Sequence, residues 1–147
     1  MESLPDRLRA ALNEARKNRD AARTLLLSTI LADIKNREIE LRHPASDDEA
    51  ADVLRRGVKK RREAADIYAK VGRPDAADRE TAEVTALEAF LPAAVSPEEI
   101  RGVVREVIAG GTTEMGKVMG QVLGRFKGRA DGKLVNQIVR EELAATP

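Results

Sequence analysis

Residues 96–108 read "SPEEIRGVVREVI", and this stretch decides the fold class. Ile100, Val103, Val104, Val107 and Ile108 recur at i, i+3, i+4, i+7 and i+8 without a miss, the spacing of one buried helix face. Ser96 sits where an N-cap belongs, Pro97 suits the first turn, and Glu98 and Glu99 lie at the positive helix end.

The same period runs outward in both directions, and no segment of useful length alternates with period two. Toward the N-terminus, "PAAVSP" (92–97) reads as a hinge. Before it, Leu4, Leu8, Leu12 and Ala15 mark a short helix, and a longer one spans roughly 20–42 on Leu27, Ile30, Leu31, Ile34 and Leu41. "HPAS" (43–46) ends that helix, because a proline disfavours helix in the residue before it. Ser46 and Glu49 fit a capping box opening a third helix. Leu54, Val58, Ala65 and Tyr68 lie on one side of it, and Gly72 is its stop. Pro74 starts a fourth, with Val84, Leu87 and Leu91 inward and Pro92 closing it.

Toward the C-terminus, "AGGTTE" (109–114) breaks the 96–108 helix. Met115, Val118, Met119, Val122 and Phe126 then form an apolar face, and "KGRADG" (127–132) ends it. Asp131 caps a last helix on Leu134, Val135, Ile138 and Leu143. The expectation is an all-α, multihelical fold. Residues 1–92 form an N-terminal antiparallel helical bundle, and 93–147 form a C-terminal three-helix subdomain.

Composition narrows the function. With 42% hydrophobic and 35% charged residues the chain is globular. No apolar run approaches the ~20 residues of a membrane span. The start "MESLPDRLRA" lacks a secretory pattern, so a cytoplasmic location is expected. There are no cysteines, which excludes disulfides and thiolate metal sites. Tyr68, Phe90 and Phe126 are the only aromatics, too few for a base-stacking platform.

Net charge is only +1, but two basic patches stand out. "RRGVKKRR" (55–62) holds six cations. On a helix these wrap about half the circumference, with Glu63 and Asp66 in ion-pair range of Lys59 and Arg62, so a solvated face is the favoured meaning. Between 116 and 133, Lys117, Arg125, Lys127, Arg129 and Lys133 oppose only Asp131.

Gly116, Gly120 and Gly124 sit inside that last patch, each costing about 1 kcal/mol relative to alanine in a helix interior. They fall on one narrow strip, with Lys117, Gln121 and Arg125 alongside. Two readings follow. Small residues four apart admit a neighbouring helix, or a bare backbone admits a sugar–phosphate chain whose charge Lys and Arg neutralise. The adjoining "RFKGRADGK" turn, with a helix N-terminus at Asp131 able to hold an anion, tips the balance to RNA.

No catalytic constellation emerges. His43 is the single histidine and reads as an exposed turn residue; Ser3, Ser46 and Ser96 read as caps. The acids of "SDDEAAD" (46–52) suit a helix first turn, and no phosphate-cradling glycine loop is present. Neither a metal nor a cofactor is called for.

Residues 115–143, "MGKVMGQVLGRFKGRADGKLVNQIVREEL", resemble the C-terminal segment of the GatB/YqeY family, shared with the tail of the B subunit of the glutamine-dependent aminoacyl-tRNA amidotransferase. "ILADIKNREIE" (30–40), the stretch 58–92 and "SPEEI" (96–100) fit the free-standing YqeY-like members in order. The resemblance implies a two-part helical fold and a tRNA-facing role for Gly116, Gly120, Gly124, Lys117, Lys127, Arg129 and Lys133. It also implies a family link to carbon–nitrogen ligases with glutamine as amide donor. This chain lacks the B-subunit domain that handles activation and the A subunit's serine amidase, so no autonomous catalysis is expected. The remaining alternatives are a protein-interaction adaptor, to an amidotransferase or synthetase assembly, whose glycine strip receives a partner helix, and an accessory to a carbon–nitrogen ligase acting on aminoacyl-tRNA with glutamine as amide donor.

Overall fold

A computed structural model describes residues 2–127 and 129–146. Among these the chain forms seven α-helices and no strand: α1 (Leu4–Lys17), α2 (Ala21–Leu41), α3 (Asp47–Lys70), α4 (Pro74–Glu88), α5 (Pro97–Ala109), α6 (Met115–Phe126) and α7 (Gly132–Ala145). The all-helical expectation holds. Gly128, inside the expected 127–132 turn, lies outside the described residues. None of the described helices is long and apolar enough to cross a membrane. The chain divides into two compact units, Met1–Leu91 and Pro92–Pro147.

In the first unit the helix starts follow from their caps. Ser3 Oγ accepts from Asp6 N at 3.2 Å, and Asp20 Oδ1 from Arg23 N at 3.0 Å. The capping box is complete: Ser46 Oγ accepts from Glu49 N at 3.1 Å, and Glu49 Oε1 from Ser46 N at 3.0 Å. That backbone bond from Ser46, with His43 and Arg37 adding smaller attractions, holds the Glu49 carboxyl below its usual range. Asp47 has a task beyond the helix dipole, since its Oδ1 accepts from Leu4 N at 2.8 Å and so caps α1 across the bundle.

Leu8, Leu27, Ile30, Ile34, Leu54 and Leu87 are fully buried and form the centre of this unit's core. On α3, Leu54 and Val58 are buried as expected, whereas Ala65 and Tyr68 are only half-buried. The α3–α4 hairpin packs closely at Gly57. A Cβ built there would lie 3.1 Å from Ile30 Cδ1 and 3.7 Å from Leu87 Cδ1.

The basic run pairs differently from the sequence expectation. Arg61 Nε bonds Glu83 at 2.8 Å, Arg62 bonds Glu88 at 2.8 Å, and Arg55 bonds Asp52 at 2.9 Å. Among the described residues neither Glu63 nor Asp66 pairs with Lys59 or Arg62. The carboxylates of the antiparallel neighbour α4 reach the arginines instead, because the hairpin sets positions 61 and 62 beside 83 and 88. Both Arg7 and Arg23 stand over the Phe90 ring, 5.8 Å and 5.9 Å from its centroid, and fix the end of this unit.

In the second unit Ser96 Oγ accepts from Glu99 N at 3.1 Å, with Pro97 at the first helical position. Ile100, Val104, Val118, Val122, Val135, Ile138 and Val139 form its core. A charged clasp not visible in the sequence ties α5 to α7. Arg101 reaches Glu142 and Glu141 at 2.7 Å each, and Arg105 reaches Glu142 at 3.1 Å. Arg105 and then Arg101 hold the Glu142 carboxyl below its usual range, and Arg101 with Gln137 does so for Glu141.

Candidate nucleic-acid interface

The site elements are α6, the turn after it and the first turn of α7. Helix α6 starts weakly, because its N-cap, Glu114, makes no side-chain bond to the free backbone N–H groups. What holds it is burial of Val118, Val122 and Phe126, flanked by half-buried Met115, Met119 and Leu123.

Opposite that face, Gly116, Gly120 and Gly124 are all exposed. A Cβ built at any of the three meets no atom of the described residues within 4 Å. Close packing among those residues therefore does not explain them. Their common strip leaves a stretch of helix backbone uncovered to solvent.

The residues beside the strip divide into two sets. Lys117 Nζ pairs with Glu114 at 3.3 Å, Arg125 Nη2 with Glu106 of α5 at 3.0 Å, and Gln121 Nε2 donates to Thr112 Oγ1 at 3.2 Å. All three are exposed and already tied to neighbours, though exposed pairs of this kind hold weakly. By contrast Lys127, Arg129 and Lys133 are exposed and, among the described residues, their charged side-chain groups have no carboxylate within 4 Å.

Lys127 closes α6 in the left-handed region, φ 48° and ψ 48°, with its N–H donating to Leu123 O at 3.1 Å. That conformation normally favours glycine or asparagine, and no sequence pattern marks this lysine as the residue that adopts it. Arg129 N donates to Phe126 O at 3.0 Å, and Ala130 is buried beneath the turn.

At the first turn of α7, Asp131 Oδ1 accepts from Lys133 N at 3.1 Å, so one of the free N–H groups of this helix end is taken by the chain's own carboxylate. Positive charge at this end rests on the side chains of Lys127, Arg129 and Lys133. No aromatic ring is free for stacking either. Phe126 is buried, Phe90 lies under two arginines, and Tyr68 lies under Arg73 at 5.9 Å.

Residues outside this region offer little reactive geometry. His43 is exposed, with Nδ1 against Pro44 O at 2.8 Å and Nε2 3.5 Å from Glu49. A shallow open depression beside it is lined by Lys35, Glu38, Ile39, His43 and Pro44.

No curated protein matches the chain. The family model described as Yqey-like protein matches residues 5–143, nearly its whole length, and the chain belongs to that family.

Proposed function

We propose that the C-terminal unit binds the sugar–phosphate backbone of a folded RNA, with tRNA as the leading candidate, and that the chain acts as a binding module without chemistry of its own. The uncovered strip of Gly116, Gly120 and Gly124 carries this reading. Gly120 and Gly124 lie inside an exposed helix and Gly116 in its first turn; an interior glycine costs about 1 kcal/mol relative to alanine, and no neighbour among the described residues accounts for the three. In the turn that follows α6 and the first turn of α7, Lys127, Arg129 and Lys133 supply charged groups that no carboxylate of the described residues pairs within 4 Å. With no stacking surface, recognition rests on phosphate contacts and on the shape of duplex RNA. The resemblance of residues 115–143 to the tail of the amidotransferase B subunit supports tRNA over other RNAs.

The test is binding of the purified chain to bulk tRNA across a salt titration, with duplex DNA as control. Salt-sensitive binding that prefers tRNA is expected. Replacing Lys127, Arg129 and Lys133 with alanine should weaken it and lower the slope of log K against log[salt] by about 2–3. An unchanged slope removes the site assignment.

One observation favours a second reading, an adaptor whose strip receives a partner helix. Half-buried Met119 and Leu123 border the glycines on the side away from the cations, as an apolar seam would. On that reading Gly120→Leu abolishes partner capture while affinity for RNA stays negligible throughout.

A further inference from the structure

The run Arg55–Arg62 is only partly absorbed by the fold. Arg55, Arg61 and Arg62 are held by Asp52, Glu83 and Glu88. Arg56, Lys59 and Lys60 are exposed and, among the described residues, have no carboxylate within 4 Å. At 3.6 residues per turn these three share an arc of roughly 120° with Lys70, Ile67 and Val71 further along α3. That arc lies opposite the buried Leu54 and Val58. Between positions 56 and 71, Glu63 is the one acid within it. Asp66 stands at its edge, and Asp52, a turn earlier, is tied to Arg55.

The apolar end of this face is conspicuous for its exposure. Ile67 keeps 61% of its surface in solvent and Val71 66%, one helical turn apart. The tip that carries them is held by its own backbone. Gly72 takes φ 75°. Arg73 N donates to Tyr68 O at 2.8 Å, and Gly72 N donates to Ala69 O at 3.3 Å. These are the two bonds of a Schellman turn. Arg73 then covers the Tyr68 ring. Such a pre-ordered surface loses little entropy when a partner arrives.

We propose that the outer face of α3, from Arg56 to Val71, is a docking surface for an acidic amphipathic helix of a partner protein. Apolar residues of that helix at i and i+4 cover Ile67 and Val71, and its carboxylates meet Lys60, Lys59 and Arg56. Charge complementarity selects this occupant. A second copy of the chain brings the same cations and only Glu63 as an acid on this face, so it offers no charge complement, and pairing through one helix face falls well short of the ~800 Å² per partner of a stable dimer. A polyanion would match the cations but gains nothing from two aliphatic side chains. An anionic bilayer needs an apolar face along the whole helix, and here it is confined to the last turn. This surface belongs to the first unit, does not include the RNA-facing strip and does not depend on it.

The test replaces Ile67 with photoreactive benzoylphenylalanine in the full chain, irradiates cells, and maps the adduct by mass spectrometry. The expected product is an adduct on an acidic protein segment with apolar residues spaced i, i+4. It should fall at least ten-fold when Lys59→Glu and Lys60→Glu are added, and be absent when the probe sits at Ala82 on the exposed side of α4. A synthetic peptide of the mapped segment should then bind the purified chain, with affinity reduced at least ten-fold by Ile67→Glu with Val71→Glu and an unchanged melting temperature. An absent adduct, one on nucleic acid, lipid or a second copy, or one indifferent to charge reversal overturns the proposal.

Discussion

Gly57 in α3 and the three glycines of α6 carry the same intrinsic helix penalty, about 1 kcal/mol each, in opposite surroundings. At Gly57 an added Cβ would stand 3.1 Å from Ile30 Cδ1 and 3.2 Å from Arg61 Nη1. The missing side chain lets α2 and α4 press onto the α3 backbone. At Gly116, Gly120 and Gly124 nothing lies within 4 Å. Packing explains the first glycine, and no packing among the described residues explains the other three. A glycine in a helix is thus informative only once its neighbours are known, and the exposed set leaves its backbone open to solvent.

The largest effect that separates the two sets comes from Gly57→Leu. The new side chain has no volume to enter between Ile30 and Leu87, and overpacking of this kind costs about 3 kcal/mol. Urea unfolding should show a lower midpoint for the N-terminal unit, and an unshifted midpoint would mean that Gly57 is not a packing residue. Replacing all three α6 glycines with alanine should act the other way. The space is open, and the summed propensity gain is about 2–3 kcal/mol. If the strip meets RNA, the same variant is more stable and binds tRNA more weakly. Gain of stability with full affinity would detach the strip from the ligand.

Much of this could be read from the residues alone. The caps at Ser3, Ser46, Ser96 and Asp131 were legible because each rests on local geometry over two or three residues. The faces of α6 were legible because period and polarity agree. Pairing across helices was not. Arg61 and Arg62 choose Glu83 and Glu88 over nearer acids in sequence, and Arg125 chooses Glu106 on another helix. Those choices depend on hairpin register, which no local pattern encodes. Lys117, Gln121 and Arg125 read as edge residues and the structure ties all three to neighbours; only the Arg125 partner lies on another helix, whereas Glu114 stands three residues before Lys117.

A smaller effect concerns the end of the striped helix. Lys127 holds a left-handed conformation at φ 48°. This costs an L-residue roughly 1 kcal/mol relative to glycine. Lys127→Gly should therefore raise stability by about that amount and, if the turn meets RNA as proposed, remove one phosphate contact. Thermal unfolding and the tRNA salt slope read the two consequences separately. A variant that neither gains stability nor loses slope would show that the strain and the charge at this position are both incidental.

The smallest effect is in acid and tests whether the C-terminal unit relies on its clasp. Glu141 and Glu142 have carboxyls held below their usual range, chiefly by Arg101 and Arg105. A depressed folded-state pKa contributes stability that is fully present above the unfolded value, about 4.3. It is lost as pH falls through the folded value. The amides of α7 should lose exchange protection as pH drops below about 4. Arg101→Gln removes the larger cause for Glu141 and one of two for Glu142. It should therefore flatten that acid limb and lower protection at neutral pH only modestly, as partly exposed pairs do. An acid limb equally steep with and without Arg101 would locate the titrating group elsewhere. Glu49 at the capping box is then the next carboxylate to examine, since Ser46 holds it low in the same direction.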